Sequence, residues 1–156
     1  MDTRIGLLSD MTQNEFDGTS FNGPSLVKTL SGLSLEQVTS PTTTEGYTVW
    51  GIVLHLIYWQ YGLTCELGGD GGFDEFPYEK TDWPSMPGDT SVDAWNIVLE
   101  HQRTAHTSYI TTLEGFAAAR LADELPAWKC SFLKAVSWMA THDLYHAAQI
   151  RNMGIK

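Results

Sequence analysis

The sequence predicts an all-α domain built as a four-helix bundle. Three observations predict it. Apolar residues recur at intervals of three and four over long stretches, strand-like alternation is scarce, and Gly- or Pro-marked breaks separate the periodic segments. A chain of 156 residues can enclose one substantial hydrophobic core, so residues 1–156 read as a single domain.

The N-terminal region reads as one broken helix. Residues 4–14 place Ile5, Leu8 and Met11 on one side, and Asp17-Gly18 ends the run. Pro24 opens a second short helix with Leu26, Val27, Leu30 and Leu33 on its apolar side. Ser34 and Gln37 form a capping box for one further turn, and Pro41 with three threonines forms a loop.

The first long helix is expected over residues 48–67, where Val49, Ile52, Leu56, Trp59 and Leu63 make one apolar face before Gly68-Gly69. Residues 68–89 are rich in Gly, Pro, Asp and aromatics. Irregular segments of that length are lids, binding loops or disordered. Thr90 with Asp93 predicts a capping box for the next long helix, with Val92, Trp95, Leu99, Gln102, His106, Tyr109, Leu113 and Phe116 as its seam. After Pro126 the last helix is expected over residues 131–152. Its Phe132, Val136, Met139, Asp143, His146, Ile150 and Met153 alternate at four and three, as in a packed bundle helix.

Composition excludes several partners. A formal net charge of −10 with no basic stripe disfavours nucleic acid. No apolar run reaches bilayer length; the longest, from Val49 to Trp59, is interrupted by Gly51 and His55. The Met-Asp-Thr-Arg-Ile start lacks signal-peptide character, which makes a cytoplasmic location the expectation. Cys65 and Cys130 form no CxxC pair and are expected to be free thiols, with no flanking bases to activate them. Cys65 lies about three helical turns from His55, roughly 15 Å, too far to share a metal with it. There is no GxGxxG, P-loop or GxSxG. The acids of the Gly68–Glu75 stretch do not follow EF-hand spacing.

The residues that carry chemistry are histidines. His142 and His146, four apart, share one helix face and can reach a common ion; the alternative is two unrelated histidines. His55, at the edge of the first long helix's apolar face, is either a satisfied core residue or the third ligand. Three ligands would suit an open catalytic site, with ring nitrogens about 2.0–2.1 Å from a zinc-like ion. Asp143 sits in the seam, where a carboxylate needs a partner. The preferred partner is a histidine N–H, His55 before His106, which would orient a ligand ring. The alternatives are an ion pair with Arg103 or Lys134, or a hydrogen bond to Trp or Tyr. His106 could be a fourth ligand, a proton shuttle or a buried structural histidine, and His101 is expected to be solvated.

Tyr47-Thr-Val-Trp50 with His55-Leu-Ile-Tyr-Trp59, and His142-Asp-Leu-Tyr-His146-Ala-Ala-Gln149-Ile150, resemble the paired signatures of the DinB/YfiT-like metalloenzyme family. Phe21-Asn-Gly-Pro-Ser25 and Asp82-Trp-Pro84 are similar to weaker landmarks, so the resemblance covers nearly the whole chain. It implies an up-down-down-up four-helix bundle, often a homodimer. It also implies a divalent metal, nickel or zinc, on His55, His142 and His146. Relatives in that family include thiol-dependent S-transferases and a thiol-dependent isomerase. Ala148 stands where the motif usually has Gly, which keeps the helix but narrows the space beside it.

Two functions remain open at this level. One is a metal-dependent enzyme acting on a small-molecule substrate, a transferase or isomerase using a low-molecular-weight thiol, or a hydrolase. Asp143, Gln149 and Tyr58 are then the candidates to orient reacting groups, and Phe73, Phe76, Tyr78 and Trp83 could cover the site. The other is a non-catalytic metal-binding or structural bundle of the stress response.

Overall fold

The computed structural model describes residues 1–155. Its α-helices are α1 (Thr3–Phe16), α2 (Leu26–Leu30), α3 (Leu35–Thr39), α4 (Val49–Glu66), α5 (Val92–Gly115), α6 (Phe132–Met139) and α7 (His142–Asn152). The described strands are β1 (Glu124–Leu125) and β2 (Cys130–Ser131), a two-residue antiparallel ladder. The fold is all-α, as the periodicity predicts.

α4 and α5 make the most extensive helix pair, with α1 and α7 packed alongside. α4 is buried nearly all round over its first turns: Val49, Trp50, Ile52, Val53, Leu54, Leu56 and Ile57 are all inaccessible. The periodicity predicts one apolar face. The difference arises because α3 and residues of the 68–89 segment cover the remaining sides. Thr48 caps α4 by accepting from the Gly51 N–H at 2.9 Å, and the Ser34–Gln37 capping box opens α3 as predicted.

Three local readings need correction. α5 is capped by Ser91, not Thr90: the Ser91 hydroxyl accepts from the Ala94 N–H at 3.2 Å, while Asp89 accepts from the Ser91 N–H. The buried side of α1 is Ile5, Ser9, Thr12, Glu15 and Phe16, which leaves Met11 exposed. Polar groups on that side are paired; Ser9 donates to Glu114 Oε1 at 2.7 Å and Ser20 to Glu15 Oε2 at 2.6 Å. Finally, the C-terminal helix is two helices. Thr141, at φ −114° and ψ 0°, donates its N–H and its hydroxyl to the Trp138 carbonyl, and α7 restarts at His142. The predicted seam survives the break, because Phe132, Val136, Met139, Asp143, His146, Ile150 and Met153 are all buried.

The 68–89 segment carries no helix or strand, yet it is anchored. Phe76 is buried and stacks on Tyr61 with centroids 4.4 Å apart. Gly71, at φ 74°, passes so close to Tyr61 that an added Cβ would lie 2.1 Å from the ring. Among the described residues, no helix is long and apolar enough to cross a membrane.

Candidate metal centre

α4 supplies His55 and the start of α7 supplies His142 and His146, and the three rings converge. His142 Nε2 lies 3.2 Å from His55 Nε2 and 3.1 Å from His146 Nε2. Among the described residues these three form the one His, Cys, Asp or Glu group with metal-type spacing, all ligand atoms within 4.8 Å of one another. His55 and His146 are 6% and 4% exposed, and His142 is half-buried.

The outer nitrogens fix what the inner ones can do. His55 Nδ1 donates to the Asp82 carbonyl at 2.7 Å, with Asp82 Oδ1 3.2 Å away. His146 Nδ1 donates to Gln149 Oε1 at 2.7 Å, and Gln149 in turn donates its amide to Glu45. Both partners are oxygen acceptors, so both rings carry their proton on Nδ1 and present a bare Nε2 lone pair inward. His142 Nε2 can offer a proton to only one of them. Two or three lone pairs thus face each other in a buried space, an acceptor-rich arrangement that a cation satisfies. Two imidazole nitrogens on one tetrahedral zinc lie roughly 3.3 Å apart, close to the spacing of these rings.

Burial lowers the pKa of all three rings. His142 falls to about 3, with the neighbouring His146 and His55 adding to the effect of burial, and His146 falls to about 4 despite its bond to Gln149. His55 is also lowered, by burial against the opposing pull of Asp82. All three are neutral near pH 7, the form that binds metal.

Asp82 and Trp83 come from the long loop. Asp82 Oδ1 accepts the Trp59 indole N–H at 2.6 Å, so one carboxylate holds both a histidine and a tryptophan of α4. Trp83 stacks on His55 at 4.2 Å, and Tyr47 stacks on Trp83 at 4.3 Å. The loop does reach the site, but through Asp82 and Trp83; Phe73, Phe76 and Tyr78 pack together against α4 and α5 instead. Asp82 was visible in the sequence only as part of a weak landmark, and Glu45 and Gln60 carried no signal.

Asp143 does not serve the triad. It is 1% exposed and accepts from Gln60 Nε2 at 3.2 and 3.4 Å, with His106 Nδ1 3.9 Å from its Oδ2. The preference for His55 as its partner is therefore overturned, and neither Arg103 nor Lys134 pairs with it. Its carboxylate meets Gln60 of α4 and His106 of α5 inside the bundle, while the neighbouring His142 and His146 turn to His55. His106 is buried, stacked on Phe16 at 3.7 Å, and stands outside the triad. His101 is half-buried rather than solvated, its Nδ1 2.7 Å from the Tyr78 hydroxyl. Gln149 orients His146, and Tyr58 lines an open cavity that His142 also borders. Both cysteines are free, as expected.

Gln149→Leu removes the acceptor that sets the His146 tautomer. Zinc affinity should fall roughly 10- to 100-fold, measured by competition with a chromophoric chelator, with little change in far-ultraviolet circular dichroism. Wild-type affinity in this variant would mean that Gln149 does not hold the ring.

Fold and site together define a helical bundle with a buried three-imidazole cluster compatible with a divalent metal. A family model described as the DinB superfamily matches residues 22–150, and the chain belongs to that superfamily. Neither the curated proteins nor the solved structures contain a significant match.

Proposed function

We propose that this chain is a divalent-metal-dependent enzyme whose ion, nickel or zinc, is held by His55, His142 and His146. The observation that carries the reading is the set of inward Nε2 lone pairs, more numerous than the protons available to them. Openness favours catalysis over a closed structural site: among the described residues no fourth donor joins the cluster, and His142 borders a cavity. When bound, a divalent ion supplies Lewis acidity that makes a coordinated water or thiol easier to deprotonate.

The chain's own residues have distinct tasks in this scheme. Asp82 and Gln149 hold the tautomers of His55 and His146. Trp83 lies flat on His55 and covers that face of the ring. Tyr58 borders the cavity with His142 and is the candidate to orient a reacting group there. We propose a transferase or isomerase that uses a low-molecular-weight thiol, on the strength of the family resemblance; a hydrolase would use the same residues.

Elemental analysis of the purified protein, followed by a thiol-transfer screen with the metal found, tests the reading. One ion per chain is expected. Its affinity should weaken as pH falls and drop most steeply near and below pH 4, because burial lowers all three rings, His146 to about 4 and His142 to about 3. Exposed imidazoles, by contrast, would begin to compete near their reference pKa of about 6.5. Affinity that persists unchanged at pH 3 rules out ligation by these rings.

A further inference from the structure

The cavity that borders His142 measures about 610 Å³, within the usual range for small-molecule sites. Four aromatic residues form much of its wall: Tyr58 and Trp59 of α4, Trp128 of the turn Pro126–Trp128, and Trp138 of α6. Trp59 meets Trp128 edge-on at 5.1 Å, and Asp82 fixes its indole N–H, so this wall is braced by the carboxylate that also touches His55.

Gly62 opens the floor. It lies within α4 and lines the same cavity, and an added Cβ would meet nothing within 4 Å. Glycine weakens a helix interior relative to alanine, and here no close neighbour requires it. What its missing side chain preserves is empty space beside the rings.

The residues that line the cavity carry one formal charge, and it is negative. Glu66, the last residue of α4, is the one carboxylate, and no Lys or Arg lines the cavity among the described residues. The C-terminus of α4 adds partial negative charge at the same end. Indole and phenol faces attract cations; Trp138, 49% exposed, already has Lys134 Nζ 5.1 Å from its ring centroid. From Tyr58 to Glu66 the helix rises about 12 Å, the length of a small ring-bearing molecule.

We infer that this cavity binds an organic cation with a flat aromatic body, its charge at Glu66 and its far end at His142. The inference names a substrate class for the proposed metal enzyme and rests on that reading for what lies at the His142 end. The cavity itself stands on its own geometry.

Benzyltrimethylammonium and phenylmethanesulfonate share a benzyl group and differ in charge. Each is titrated into the metal-free and the zinc-loaded chain, followed by tryptophan fluorescence and by the indole N–H signals in NMR. In the metal-free chain the cation should bind saturably and at least about tenfold more tightly than the sulfonate. Glu66→Gln, at an exposed position, should reduce that preference to about threefold or less. Gly62→Leu should fill the cavity and weaken the cation at least about tenfold, with zinc affinity unchanged. Equal binding of cation and sulfonate overturns the inference, and so does a cation affinity that neither variant alters. Glu66→Gln keeps the test decisive even if Gly62→Leu fails to fold. Zinc affinity measured on the same samples separates the two readings. Cation binding without zinc binding removes the metal-centre proposal and leaves the cavity; zinc binding without cation binding removes this inference alone.

Discussion

Replacing His142 with alanine should lower zinc or nickel affinity by well over about 100-fold and leave the fold intact. Loss of a residue that merely orients a ligand already costs roughly 10- to 100-fold, so loss of a ligand must exceed that. His142 is the ring that both others approach, at 3.2 and 3.1 Å, and without it His55 and His146 lose their shared neighbour. The fold should tolerate the change for three reasons. His142 is half-buried, it is the first residue of α7, and its Nδ1 has no hydrogen-bond partner to strand. His106→Ala is the matched control. It removes a buried imidazole stacked on Phe16 and outside the triad, so it should lower stability and leave metal affinity within about twofold. Isothermal titration and chemical unfolding on both variants give the comparison. Wild-type metal affinity in His142→Ala would remove the triad from consideration, and a loss in His106→Ala as large as in His142→Ala would mean that a fourth histidine belongs to the site.

What the sequence made legible is what repeats. The seam from Phe132 to Met153 follows helical geometry, so its buried set can be read before any coordinate is known, and His146 and Asp143 fall on it. His142 and His146 are legible for the same reason, being one turn apart. His55 becomes legible only when paired with them. The unread features depend on contacts without a period. Asp82 reaches His55 and Trp59 from an irregular loop, and Glu45 reaches Gln149 across 104 positions of sequence. The break at Thr141 follows from competition between a side-chain hydroxyl and the backbone for one carbonyl, which leaves the apolar pattern unaltered. The inward face of α1 is largely polar, and apolar periodicity is blind to a face satisfied by hydrogen bonds.

Asp143 shows how a correct placement can lead to the wrong partner, and it yields the second large expected effect. Burial raises its carboxyl to about 7, and Gln60 only partly opposes this. Burial also lowers His106 to about 4. The 3.9 Å separation of His106 Nδ1 from Asp143 Oδ2 is within ion-pair reach, yet burial drives both groups toward their neutral forms, so between those values the contact joins neutral partners. The consequence for stability has a definite sign. In the unfolded chain the carboxyl titrates at its ordinary 3.8, whereas in the fold it holds its proton until about 7. As pH rises between these values the unfolded state loses a proton that the folded state keeps, and the fold is progressively destabilised, by on the order of 4 kcal/mol above pH 7. His106, His142 and His146 act the other way: their contribution is complete above about 6.5 and is lost as pH falls toward 4 and 3. Asp143→Asn deletes only the first effect. With its oxygen in the place of Oδ1, the carboxamide can still accept from Gln60 Nε2, and with its nitrogen in the place of Oδ2 it faces His106 Nδ1, which is unpaired in the wild type. In the metal-free protein the variant should therefore gain roughly 1.5 kcal/mol near pH 5 and on the order of 4 kcal/mol at pH 8, read from urea unfolding at the two values. Metal affinity should stay within a few-fold of wild type, because the carboxylate touches none of the three ligands. A gain that is equal at both pH values would mean that Asp143 ionises as freely in the fold as out of it. A 10- to 100-fold loss of metal affinity would restore the carboxylate to the support of the triad.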